Sequence, residues 1–300
     1  MRLGFALPQF GAAAHRPEEA ARFAREAEGM GAASLWAGDR LLAPVHPSVG
    51  YGGSDALPPQ FRSALDPFVL LTAAAGATER ALLGTSVLNA PWYPPALLAR
   101  SLTAIDRISG GRLLPGLGTG WSPEEYRAAG VPMGERGRRL DECLDALEEL
   151  WSDGPAEYRG ELWEVPESHV DLKPVQRPRP PIYLGAFAPA ALRRVARRAD
   201  GWLPVAVLPG RADPVEAVAG PLAAIREEAA RQGRDPSAVG AVLRINAAPS
   251  VSVSEIAEAA LAAEQEAGVE HAFVDLMYLT EDTDRMLELA DRLLEKTGAR

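Results

Sequence analysis

The chain has 300 residues, of which 47% are hydrophobic and 24% charged, an ordinary globular composition that excludes disorder. Its 31 basic and 41 acidic residues leave a net charge of −10, which argues against nucleic acid or an anionic membrane as the main partner. A single cysteine excludes a disulfide framework and a cysteine zinc site, and the four histidines have no metal-ligand spacing.

Short apolar runs alternate with helical stripes along the chain. Leu3–Leu7 reads as a first strand, followed by a helix opening at Pro17 with Ala20, Phe23, Ala24 and Ala27 on one face. Ala33–Ala37 is a second strand. A loop of about 25 residues, long enough to be functional, then leads to Asp66-Pro67, the N-cap and first turn of the next helix. Ala81–Leu88 is the third strand, with a helix from Pro95 to Ile108 behind it.

Arg112–Leu117 is the fourth strand and leads into Gly118-Thr119-Gly120-Trp121, after which Ser122 and Glu125 have the spacing of a capping box. The helix Arg136–Trp151 carries Leu140, Cys143, Leu144 and Leu147 in stripe, which makes Cys143 a small core residue rather than a nucleophile. Prolines punctuate residues 152–181, an inserted excursion with a small hairpin around Tyr158–Val165.

The rhythm resumes with strand Ile182–Leu184 and a helix with Leu192, Val195, Ala196 and Ala199 in stripe; its Arg193-Arg194 and Arg197-Arg198 pairs read as a solvated face. Trp202–Val207 precedes a helix begun by Asp213-Pro214, with Glu216 completing a capping box. Ala241–Ile245 precedes a helix near Ser254, and Ala272–Leu276 precedes a last helix with Met286, Leu289, Ala290 and Leu293.

Eight strands, each followed by helix and each apolar throughout, predict parallel strands covered on both faces and closed into a (β/α)8 TIM barrel. The expectation is a single α/β domain over residues 1–300, with the excursion between the fourth helix and the fifth strand. An open doubly wound sheet gives the same alternation but usually carries G-x-G-x-x-G after its first strand, and none is present there. The opening MRLGFALPQF lacks the marks of a signal peptide, and no apolar run reaches bilayer length, so a cytoplasmic location is expected.

A barrel builds its active site from the loops after the strand ends. These loops hold Gly38-Asp39-Arg40 and His46, Tyr51 and Phe61 after strand two, Asn89, Trp92 and Tyr93 after strand three, Thr119-Gly120-Trp121 after strand four, and Gly185-Ala186-Phe187 after strand five. Aromatic side chains together with glycines that allow close backbone approach suit a planar heteroaromatic ligand. Carboxylates at the strand ends are Asp39 and Asp275, with His271 at a strand start, too few for a metal-dependent hydrolase.

Three blocks of sequence carry a resemblance. Gly111-Arg112-Leu113-Leu114-Pro115-Gly116-Leu117-Gly118-Thr119-Gly120-Trp121-Ser122-Pro123-Glu124-Glu125-Tyr126, then Pro180-Pro181-Ile182-Tyr183-Leu184-Gly185 with Ala199-Asp200-Gly201-Trp202, and Leu83-Gly84-Thr85-Ser86-Val87 resemble the bacterial luciferase-like monooxygenase superfamily, in family order over at least residues 1–205. The resemblance implies a barrel that binds coenzyme F420 or flavin mononucleotide (FMN), and the chain looks most like the F420-dependent branch. It implies a cofactor site formed by Asp39, Thr85, Ser86, Val87, Asn89, Gly118, Thr119, Gly120, Trp121, Leu184, Gly185, Ala186 and Phe187, with a cis peptide at Ser86–Val87.

Family members that oxidise alcohols carry a histidine where this chain has Arg40. Hydride transfer to a double bond is therefore expected in preference to alcohol oxidation, because the usual base is missing. Asp39, Arg40 and His46 are the catalytic candidates, no metal is expected, and the substrate is a small molecule. The cofactor phosphate is expected at the helix start after Gly185-Ala186-Phe187-Ala188-Pro189, or alternatively at Ser250–Ser254. An FMN-dependent monooxygenase with a partner reductase and a non-catalytic cofactor-binding barrel are the competing functions. By resemblance the chain is a homodimer, paired through its second and third helices, where Leu70–Ala77 is rich in alanine.

Overall fold

The computed structural model describes residues 1–52, 54–210 and 215–299. Its strands are β1 (Arg2–Ala6), β2 (Ser34–Ala37), β3 (Leu82–Thr85 and Leu88–Asn89), β4 (Leu113–Leu114 and Gly116–Gly118), β5 (Tyr183–Leu184), β6 (Gly201–Trp202 and Val205–Leu208), β7 (Gly240–Ala241 and Leu243–Ala247) and β8 (His271–Asp275). Each strand pairs in parallel with the next, and β8 pairs with β1, so the eight form a closed ring. The covering helices are α1 (Glu18–Met30), α2 (Pro67–Ala77), α3 (Pro95–Ile108), α4 (Arg136–Trp151), α5 (Pro189–Arg198), α6 (Glu216–Arg231), α7 (Val253–Ala267) and α8 (Thr283–Thr297). The expected α/β barrel is the fold observed.

Several starts and stops follow directly from local chemistry. The Asp66 side chain accepts from the amides of Phe68 and Val69, which caps α2 as the Asp-Pro pair predicts. Ser252 and Glu255 form a complete capping box on α7. The proline-rich excursion holds the hairpin Ala156–Arg159 with Glu164–Ser168, and Asp106 of α3 clamps its far end by accepting from the amides of Val175 and Gln176. The helix start expected at Asp213-Pro214 lies outside the described residues.

Two local expectations are corrected. Ser122 does accept from the Glu125 amide, but the Glu125 carboxylate turns away to the loop after β2, where it binds Arg40 and the amides of Leu41 and Leu42. The capping box is thus half formed, because a buried arginine competes for its acid. Likewise Arg194 and Arg198 do not face solvent. They pair with Asp141 and Asp145 of α4 and dock α5 onto it, while Arg193 and Arg197 are exposed.

The barrel interior is filled by complementary large and absent side chains. Trp36 stacks on Phe273 at 4.6 Å, with Leu114, Leu203 and Val242 in the same cluster. A Cβ on Gly84 would lie 2.3 Å from the Trp36 ring, and one on Gly201 would lie 2.1 Å from the Tyr183 ring. These glycines vacate the space that the neighbouring strand's aromatic ring occupies. Gly201→Ala is therefore expected to destabilise the protein by about 1–3 kcal/mol through overpacking. Urea unfolding checks this, and an unchanged midpoint would mean that Tyr183 can move aside freely.

At the opposite end of the barrel from the strand termini, His271 lies 2.7 Å from the Ser34 hydroxyl, which also accepts from the Trp36 indole. Burial, with Arg2 adding to it, pushes the His271 pKa down to about 3, so the ring is neutral. Cys143 is fully buried in the core, and burial raises its thiol to about 12.

Candidate functional site

Where β3, β4, β5, β6 and β7 end, the barrel mouth opens into a cavity of about 420 Å³. Val87 forms its floor together with Ser86, and a Cβ at Gly118 or Gly185 would come within 2.6 or 3.0 Å of the Val87 methyls. The absence of side chains at those two positions keeps the wall beside Val87 flat. Trp121 and Phe187, the latter 72% exposed, flank the mouth, and Leu203, Val205 and Val207 line the β6 side. The Ser86–Val87 peptide is cis, as expected.

Among the described residues that line this cavity, the charged one is Arg244, on β7. Its Nη2 donates to Asp275 at 2.5 Å, its Nη1 to the Ser86 carbonyl at 3.1 Å and its Nε to the Asn246 side chain at 3.0 Å. An arginine has five N–H donors, so among the described residues two remain for a ligand. Burial disfavours the Arg244 charge, but Tyr51, Asp275 and Tyr278 together outweigh it and hold its pKa above the ordinary value.

Sequence reasoning missed Arg244. The signal was available, since it is the one charged residue in the apolar run Ala241–Ile245.

Of the expected site residues, Ser86, Val87, Trp121, Gly185 and Phe187 meet on the cavity wall. Gly118 stands behind Val87. The others have different work. Thr85 is fully buried, and its hydroxyl bonds both the amide and the carbonyl of Gly116, pinning β3 to β4. The Thr119 carbonyl accepts from the Tyr126 hydroxyl. Gly120 has φ +62°, and a Cβ there would lie 2.5 Å from the Asn89 side chain. Leu184 is a core residue, and the Ala186 carbonyl accepts from the Trp202 indole.

The three catalytic candidates also stand off the wall. Asp39 is half-buried and stands off the cavity lining, accepting from the Asn89 amide at 2.9 Å and the Tyr93 hydroxyl at 3.1 Å. Burial raises its pKa to about 6 against the opposing effect of those two donors. Arg40 is held between the rings of Phe61 and Trp121, at 4.8 and 4.7 Å, and pairs with buried Glu125 at 3.1 Å. Its guanidinium props Trp121, because the aromatic faces and Glu125 together take up its charge. His46 is exposed on the loop after β2, outside the cavity.

Tyr51 and Gly52, from the same loop, do reach the cavity, Tyr51 packed edge-on against Phe61 at 5.0 Å and tilted on Trp121 at 5.5 Å.

Residues 1–298 match the family model for luciferase-like monooxygenases. The chain belongs to the luciferase-like monooxygenase family. An uncharacterised relative from Mycobacterium tuberculosis is 37% identical over 186 residues, covering 60% of this chain and 62% of the relative's length. The FMNH2-dependent dimethylsulfone monooxygenase of Pseudomonas putida is 33% identical over 164 residues, 54% of this chain and 42% of that enzyme.

Among solved structures, monooxygenase RslO1 from Streptomyces bottropensis superposes with a TM-score of 0.79 at 22% identity, covering 98% of this chain and 99% of the other. An F420-dependent secondary alcohol dehydrogenase in complex with an F420–acetone adduct superposes with a TM-score of 0.67 at 20% identity, covering 98% and 84%. The chain is thus similar in sequence to an FMNH2-dependent enzyme and in fold to an F420-dependent one. No helix among the described residues is long and apolar enough to cross a membrane.

Proposed function

We propose that this luciferase-like protein is an F420-dependent oxidoreductase that transfers hydride between the deazaflavin and a small organic substrate, reducing a C=C or C=N bond rather than oxidising an alcohol. One observation carries the direction. The polar side chains on the described cavity wall are Tyr51, Ser86, Trp121, Arg244 and Asn246, all able to donate, while Asp39 is bonded behind the wall and His46 lies outside it. Reduction needs a proton donated to the substrate, and alcohol oxidation needs one accepted.

The residues present fit such a cofactor. Val87 with the side-chain-free Gly185 makes a flat apolar face for a planar ring, Trp121 and Phe187 would flank it, and Arg244 has donors left for a polar ring edge. Bound deazaflavin would supply the hydride. Arg244, held in place by Asp275, would orient the polar edge, Tyr51 holds a transferable proton at its hydroxyl, and the aromatic mouth limits the entry of water.

For the phosphate, the start of α5 is favoured over that of α7. Ala188 caps α5 without a side-chain hydrogen bond and no acid stands in its first turn, whereas Ser252 and Glu255 occupy the α7 start with a carboxylate.

Titration of the purified protein with F420 and with FMN, followed by fluorescence, tests the assignment. Tighter binding of F420 is expected, and a protein that purifies yellow with bound flavin would overturn it. The second reading is an FMN-dependent monooxygenase served by a partner reductase, favoured by the similarity to the FMNH2-dependent dimethylsulfone monooxygenase.

A cytoplasmic homodimer is part of the same proposal. Val69 of α2 and Leu97 and Ile108 of α3 are apolar and 69%, 48% and 53% exposed, which a second copy would cover. Val69→Asp is expected to shift the protein toward monomer in sedimentation velocity, and a wild type already monomeric would reject the dimer.

A further inference from the structure

One buried ion pair ties together the two segments that flank the cavity. The loop after β2 carries Arg40 near its start and brings Tyr51 and Gly52 to the wall, while the end of β4 brings Trp121. Glu125, four residues beyond Trp121 in the short helix Pro123–Ala128, links them. Its two oxygens have separate work. Oε1 accepts from the amides of Leu41 and Leu42 at 2.8 and 3.2 Å, and Oε2 faces the Arg40 Nη2 at 3.1 Å. Neighbouring Glu124 adds an outer link, accepting from the Ser48 hydroxyl and amide at 2.5 and 3.2 Å.

The Arg40 and Glu125 side chains are 6% and 2% exposed. Enclosing two charges is costly, and apolar residues of the same volume often serve stability as well. What this pair adds is placement. The guanidinium lies between the Phe61 and Trp121 rings, and half-buried Trp121 is in turn tilted on Tyr51. A guanidinium deprived of its carboxylate gains by moving toward water, which withdraws it from the ring it supports.

We propose that Glu125 is a positioning residue of the cavity mouth: by holding Arg40 between the rings it sets Trp121 against Tyr51, and cofactor affinity depends on it through Trp121. The proposal rests on the cavity holding the cofactor ring.

Glu125→Gln separates the work of the two oxygens. Its amide oxygen can still accept from Leu41 and Leu42, whereas its NH2 group faces a cation and cannot pair with it. Arg40→Lys keeps a positive charge beside Glu125 but removes the planar face that stacks. Each is made in the wild-type and Trp121→Ala backgrounds, and dissociation constants for F420 and FMN are measured. Each single variant is expected to weaken F420 binding by about fivefold, and Trp121→Ala by at least as much. Once Trp121 is alanine, neither should weaken it further, because residues acting through one contact are not additive. A merely structural loss would add. Acrylamide quenching of Trp121, taken as the difference between each protein and its Trp121→Phe counterpart, should rise in both variants with or without cofactor.

Additive effects overturn the proposal, as does wild-type affinity or unchanged Trp121 quenching in either variant. Should Glu125→Gln fail to fold, Arg40→Lys carries the cycle alone. A wild type that prefers FMN rejects the F420 assignment, and the same cycle read on FMN then sustains or overturns the role of Glu125. One that binds neither rejects the cofactor reading, and the quenching series decides whether Glu125 positions the mouth.

Discussion

Arg244→Met is expected to destabilise the protein by about 3–5 kcal/mol, the cost of stranding a buried charge whose partner has been removed. Asp275 is 3% exposed and its Oδ2 meets the guanidinium at 2.5 Å, while the Ser86 carbonyl and the Asn246 side chain lose a donor at the same time. Two further measurements separate this cause from a simple packing loss. The deficit should shrink as pH falls, because the stranded Asp275 carboxyl can then be buried in protonated form. Adding Asp275→Leu to Arg244→Met should recover most of the loss, since replacing a whole buried ion pair by apolar residues is often neutral. Urea unfolding at pH 5 and pH 8 reads all three effects. A single variant within about 1 kcal/mol of wild type would show that water, rather than Arg244, pairs with Asp275.

Asp39→Asn is expected to stabilise the protein at neutral and alkaline pH and to do nothing at low pH. Burial raises the Asp39 carboxyl to about 6, against about 3.9 in an unfolded chain. Between those values the folded protein holds a proton that the unfolded chain has released, so the associated stability is fully present below about pH 4 and is lost as pH rises through about 6. Two units correspond to about 3 kcal/mol at the upper limit.

An amide at position 39 can still accept from the Asn89 amide and the Tyr93 hydroxyl, so the variant keeps those bonds without the charge. Its stability minus that of wild type should rise from about zero at pH 4 to a plateau above pH 7. A difference independent of pH would mean that folding leaves the Asp39 pKa where it is in the unfolded chain. F420 affinity of the same variant tests the role expected from the family resemblance. Asp39 stands behind the cavity wall, so any loss would arise through Asn89 and the Tyr93 loop.

The architecture was legible in the chain because its determinants are local. A run apolar on both faces, a stripe at helical spacing and an Asp-Pro cap are each decided within a few residues, and α3 runs from Pro95 to Ile108 and α4 from Arg136 to Trp151 as the pattern predicts. The blocks around Val87, Gly118 and Gly185 pointed to the central cavity for a related reason. They are tight sequences whose glycines leave room for one another's neighbours.

Partnerships across the barrel were decided only by the tertiary structure. Glu125 has the spacing of a capping residue, yet its acid is taken by Arg40, 85 positions earlier, because the loop after β2 folds over β4. Asp39 and His46 read as equals on one loop, but the path of that loop tucks the first against Asn89 and Tyr93 and exposes the second.

Arg244 and Asp275 lie on different strands, 31 residues apart, and meet because the β7–β8 register sets Asn246 opposite Asp275. Sequence alone therefore determined where the strands, the helices and most of their caps lie, because those patterns repeat within a few residues. The charged anchor and the placing of Tyr51 at the cavity came from closure of the ring, because lateral register and loop packing bring together groups that no local pattern connects.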